Sequence, residues 1–151
     1  MTKALSLVEK ISGPNAEPLS ALIAKAETAA QRVHQTFGDF LEHRIQELGK
    51  SRGELAHSTG WKQFYATVVD LRGSAAMAGQ SAVQTICVSL EGLLKERVYD
   101  ARACAVVASH IDALVLLSSQ RKPDGGAVKL LIEELEQAVA RIPLRAVQED
   151  V

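Results

Sequence analysis

From residue 19 to residue 48, apolar side chains recur at steps that are mostly three or four: Leu19, Leu22, Ile23, Ala26, Ala30, Val33, Phe37, Phe40, Leu41, Ile45 and Leu48. That period places them on one face of an α-helix. Pro18 suits the first turn, so the spacing predicts one long helix over roughly residues 17–49, broken at Ser51-Arg52-Gly53. No segment shows sustained two-residue alternation with β-branched enrichment. Hydrophobic residues make up 47% of the chain and aromatics only 4%, so the apolar mass is largely Ala, Leu, Val and Ile, and Ala and Leu favour helix. The expected fold class is all-α.

Four more helices follow. One starts near Gly60, with Ser58 or Thr59 as cap and a stripe of Trp61, Phe64, Val68, Leu71, Ala75 and Ala78, and it ends at Gly79. Ser81-Ala82-Val83-Gln84 reads as a capping box for the third, with Val83, Ile86, Cys87, Leu90, Leu94 and Val98 facing inward. Asp100 can cap a fourth, through Ala103, Val106, Val107, Ile111, Leu114 and Leu117. Residues 121–126 read as a loop before a last helix with Val128, Leu131, Leu135 and Val139, which stops before Pro143. Short connections favour antiparallel neighbours. The expected architecture is an up-down antiparallel four-helix bundle of the second to fifth helices, with the long N-terminal helix packed over it. Residues 1–15 form a lead, 16–144 one domain and 145–151 a tail, of which Gln148-Glu149-Asp150-Val151 is expected to fray.

Composition narrows function. The chain has 151 residues, enough for one domain with a core, and a formal net charge of −1 with 17 Lys and Arg that do not cluster. Nucleic-acid binding needs a basic face and a membrane-surface helix a basic stripe, so neither partner is expected. The most apolar stretch, 103–117, contains His110 and Asp112 and reads as too short to span a bilayer. With no targeting segment visible, a cytoplasmic location is the expectation. Cys87 and Cys104 lack metal-ligand spacing and read as small apolar residues, with neither a disulfide nor a metal site expected.

One segment breaks the helical rules. Gly73 lies inside the second helix, where glycine costs about 1 kcal/mol relative to alanine. Either two helices pass closely there or a partner approaches. Beside the core stripe runs a second one, Tyr65, Val69, Arg72 with Gly73, and Ala76, small or apolar for the most part. A second apolar face punctuated by glycine suggests a docking surface, unless the first helix covers it.

The same residues carry a family resemblance. Val69-Asp70-Leu71-Arg72-Gly73, then Ser74-Ala75-Ala76 and Gly79, resembles the His-x-Leu-Lys-Gly signature of histidine phosphotransfer (HPt) domains, which sits on a helix of a four-helix bundle. Ser89-Leu90-Glu91, Ser109-His110-Ile111-Asp112-Ala113-Leu114 and Asp124-Gly125-Gly126-Ala127 are similar to a bacterial subgroup of that family. The resemblance covers roughly residues 16–144. It implies that Val69 stands where the family's phosphoacceptor histidine would be, that Arg72 matches the cation that neutralises phosphoryl charge, and that Gly73 matches the small residue that admits a receiver domain. Valine has no lone pair and cannot accept a phosphoryl group. The resemblance therefore implies a degenerate, non-catalytic member that binds a response-regulator receiver domain or a histidine kinase through Tyr65, Val69, Arg72, Gly73 and Ala76. It implies no cofactor.

Two alternatives stay open: phosphotransfer through another histidine, and a helical bundle of unrelated role. His110 is expected to hydrogen-bond within or at the edge of the bundle, His34 and His43 to lie at the surface, and His57 to sit in the loop before the motif helix. Asp70 and Ser74 lack the positioned partners that acid–base or nucleophilic chemistry needs, and no phosphate-binding loop occurs.

Overall fold

The computed structural model describes residues 18–53, 61–119 and 124–146, excluding the side chains of residues 61–63. Among the described residues there are five helices: α1 (Leu19–Lys50), α2 (Trp61–Met77), α3 (Ser81–Glu96), α4 (Ala101–Ser119) and α5 (Gly125–Ala140). The protein is all-helical. Among the described residues, β pairing is limited to one isolated antiparallel bridge between Arg97 and Leu144. The expected caps at Ser58 or Thr59, the side chain of Trp61 and the loop residue His57 lie outside the described residues.

Local chemistry fixes the helix ends. Gly79 adopts φ +70°, the left-handed conformation that glycine enters without steric cost. The Gln80 amide then donates to Ala75 O at 2.9 Å and the Gly79 amide to Ala76 O at 3.2 Å, a Schellman closure of α2. Asp100 caps α4 as expected, its Oδ1 accepting from the Ala103 amide at 2.9 Å. That bond, with Arg102 beside it, holds the Asp100 carboxyl below its ordinary range. The expected Ser81–Gln84 capping box does not form. Ser81 is already helical, and the cap position falls to Gln80, whose side chain makes no capping bond. Gly125 and Gly126 belong to α5 rather than to a loop, because Asp124 Oδ1 accepts from the Gly126 amide and starts the helix earlier.

The helices pair in a closed ring: α1 against α2, α2 against α3, α3 against α4, and α4 against α1, while α5 lies outside against α3 and α4. This differs from the expected grouping of the second to fifth helices. The C-terminal half of α1 supplies Leu41, Ile45 and Leu48 to the interior, whereas α5 buries only Leu135 and Val139. They meet Phe64, Val68 and Leu71 of α2, Ile86, Leu90 and Leu94 of α3, and Val107, Ile111 and Leu114 of α4. α1 and α4 approach closely at Gly49, where an added Cβ would stand 2.8 Å from Val115 Cγ2. α4 has the length and apolarity of a membrane span, contrary to the sequence expectation, but its inward residues, from Ala103 to Leu117, form part of this core.

One stretch departs from expectation. The N-terminal half of α1 leaves the body: apart from half-buried Ala21 and Leu22, residues 19–36 are exposed. Its apolar stripe is therefore not core, because no described element lies over it. Leaving aside Leu22 on its flank, the exposed or half-buried members Leu19, Ile23, Ala26, Ala30, Val33, Phe37 and Phe40 follow one another at steps of four and three. At the other end, the chain beyond α5 is fastened as far as Arg145, and the residues expected to fray, 148–151, lie outside the described residues. Arg145 donates from its backbone to Glu96 O, from Nε to Arg97 O and from Nη2 to Leu94 O, all within 3.0 Å.

Candidate docking surface on α2

The buried stripe of α2 (Phe64, Val68, Leu71, Ala75) turns the neighbouring positions toward the surface. Tyr65, Val69 and Arg72 are half-buried, while Gly73 and Ala76 are exposed. α1 flanks this face without covering it. Phe37, Phe40 and Arg44 of α1 form one wall of an open groove of about 570 Å³, and Val69, Gly73 and Met77 of α2 form the other. Phe40 and Met77 are each 50% exposed. The Arg44 guanidinium stands 5.6 Å from the Phe40 ring centroid, which favours a cation over the ring face.

The five residues singled out by sequence divide. Val69 and Gly73 meet in the groove. Ala76 is exposed but does not line it, and Tyr65 packs against the core. Arg72 turns toward α3, where its Nη1 donates to Glu91 Oε2 at 2.8 Å. The Glu91 side chain is only 10% exposed, against 43% for Arg72. The carboxylate therefore balances a guanidinium that would otherwise offer its full charge to an anion.

Gly73 has the plainest geometry. A Cβ built on it meets nothing within 4 Å. Close helix packing inside this chain therefore does not require the glycine, and that explanation of its place in mid-helix falls away. Open space over a half-apolar groove remains.

The three described histidines lie where they were expected. His34 and His43 are exposed. His110 has no exposed surface. Its Nδ1 lies 2.7 Å from Val106 O and its Nε2 2.9 Å from Ser89 Oγ. A carbonyl only accepts, so Nδ1 carries the hydrogen and Nε2 accepts from the serine hydroxyl. Burial lowers the His110 pKa from 6.5, against the opposing pull of the Val106 carbonyl. With both ring nitrogens engaged and no access, His110 is not placed to receive a phosphoryl group.

Cys87 lies among the core residues, and both cysteines are free. Burial, reinforced by the Glu91 carboxylate and opposed by Arg72, pushes the Cys87 thiol up to about 12, so it stays protonated and inert. Among the described residues, no group of three or more His, Cys, Asp or Glu is arranged to hold a metal ion.

Sequence reasoning missed the α1 wall. Phe37 and Phe40 share the stripe that dips into the core four residues later, and periodicity alone does not say where a helix leaves its neighbours. It also gave Glu91 and Ser89 no role, although both lie in the stretch that carries the resemblance. Comparison with family models, curated proteins and solved structures finds no match for this chain.

Proposed function

We propose that this protein is a non-catalytic, HPt-like module of two-component signalling that docks a receiver domain or a histidine kinase on α2 without carrying phosphate. On this reading the ring α1–α4 is an up-down HPt-type four-helix bundle, α5 is an outer helix, and the protein works in the cytoplasm.

The observation that carries the reading is the accessible groove with Val69 and open Gly73 side by side. Valine at that point is chemically inert, yet the helix beside it keeps a backbone-level opening that internal packing does not use. The Arg72–Glu91 pair supports the same conclusion, since the cation matching the family's phosphate-neutralising position already has a counter-ion. Buried His110 offers no substitute phosphoacceptor.

Binding tests the proposal. Receiver domains and kinase dimerisation domains from the source genome are titrated into the protein by calorimetry, with Gly73→Leu as control. The reading expects at least one to bind the wild type and to lose affinity at least tenfold with Gly73→Leu. Equal affinity for the variant, or no binder in the set, contradicts it.

A further inference from the structure

The exposed half of α1 carries a seam that runs onto the docking groove and shares Phe37 and Phe40 with its wall. Its steps alternate four and three from Leu19 to Phe40, a mean of 3.5 residues. An isolated helix of 3.6 residues per turn gains nothing from that strictness, whereas two helices wound about each other require it. Leu19, Ile23, Val33 and Phe40 are between 43% and 59% exposed.

We propose that a second copy of this chain covers this seam, the two α1 helices pairing antiparallel. Size selects the direction. When Ala30 faces the partner's Val33, Ala26 faces the partner's Phe37 and Ile23 the partner's Phe40. Each alanine then meets a larger side chain, and the two-fold axis repeats each match. A parallel pair would set Ala26 and Ala30 against their own copies, leaving gaps, while crowding Phe37 and Phe40 against theirs.

Charge agrees with size. In the antiparallel register Glu27, on the flank of the seam, falls beside the partner's His34, twice per dimer. A carboxylate beside an imidazole is a hydrogen-bonding, charge-complementary pair. The parallel register offers Glu27 no such neighbour. The antiparallel pair also sets the two helical bodies toward opposite ends of the joined helices. Phe37 and Phe40 also form the α1 wall of the α2 groove, so the pairing covers that wall and competes with docking there; it rests on the seam alone and not on the receiver or kinase reading.

Light scattering of the full-length protein across a wide concentration range tests the pairing. The wild type is expected to have the mass of a dimer. Ala30→Glu, which sets a carboxylate at the centre of the seam and touches no groove residue, is expected to be monomeric with an unchanged helical circular dichroism spectrum. Orientation is read in a Cys104→Ser background: a mixture of Ala26→Cys and Phe37→Cys proteins should cross-link on oxidation, and Ala26→Cys alone should not. Four results overturn the proposal. These are a wild type that stays monomeric, including one whose seam is covered by residues preceding Leu19; a dimer that survives Ala30→Glu; no cross-link in the mixture; and efficient self-linking of Ala26→Cys, the mark of a parallel pair.

Discussion

Arg72 and Glu91 form a 2.8 Å ion pair across α2 and α3 in which the acid is nearly buried and the base is not. The asymmetry predicts unequal mutational costs. Removing Glu91 lets Arg72 swing into water; removing Arg72 strands a carboxylate inside. Arg72→Met should destabilise by about 2 kcal/mol or more, somewhat below the values for breaking fully buried pairs because Arg72 is partly exposed. Glu91→Gln should cost about 1 kcal/mol, close to a single exposed charge pair or hydrogen bond. Urea denaturation of both variants checks the order; a larger loss for Glu91→Gln would contradict it.

Two glycines inside helices should respond in opposite directions to alanine. At Gly73 the added methyl enters open space, so Gly73→Ala should gain about 0.5–1 kcal/mol from helix propensity. At Gly49 it would meet Val115 Cγ2 at 2.8 Å, and branched valine has little freedom to yield. Gly49→Ala should lose about 1 kcal/mol or more through overpacking. Thermal unfolding reads both signs.

His110 predicts a pH dependence. Its folded pKa lies below 6.5 because burial disfavours the imidazolium. The unfolded chain therefore binds the proton first as pH falls. Its contribution is fully present above pH 6.5 and declines as the solution is acidified toward the folded pKa, with a slope of at most about 1.4 kcal/mol per pH unit. Stability measured from pH 7.5 to 5 should fall, and His110→Gln should flatten that decline. An unchanged profile in the variant would assign the decline to other groups.

The Ser89 hydroxyl that reaches His110 Nε2 should matter modestly. Ser89→Ala leaves a buried ring nitrogen without a donor, a loss of about 1–3 kcal/mol. Ser89→Thr keeps the hydroxyl and should recover most of it. Denaturant midpoints for the two variants provide the check.

Much of the fold was legible in the sequence because amphipathic periodicity reports burial directly. Phe64, Val68, Leu71 and Ala75 on α2, and Ile86, Leu90 and Leu94 on α3, are core as their spacing implies. Periodicity fails where burial is decided elsewhere. Phe40 and Leu41 are neighbours in one apolar stripe, yet one is half exposed and the other buried, because the ring of helices begins to enclose α1 only there. Which four helices close the ring was not legible, since α5 is the more apolar helix yet stays mostly exposed, while α1 buries Leu41, Ile45 and Leu48. At the candidate site, Gly73 was visible because it breaks a helical rule, and Val69 because it lies on the second apolar stripe beside it. Glu91 was not, since an acid on a helix reads as solvated until a neighbouring helix brings Arg72 to it.

The central claim is docking without phosphate transfer, and phosphoryl transfer tests it most directly. A receiver domain found to bind the wild-type protein is phosphorylated on its aspartate with a radioactive donor, mixed with the protein, and the mixture is resolved by size. The account predicts a complex in which all label stays on the receiver or is released as inorganic phosphate. Acid-labile, base-stable label on this chain, the signature of phosphohistidine, would contradict it.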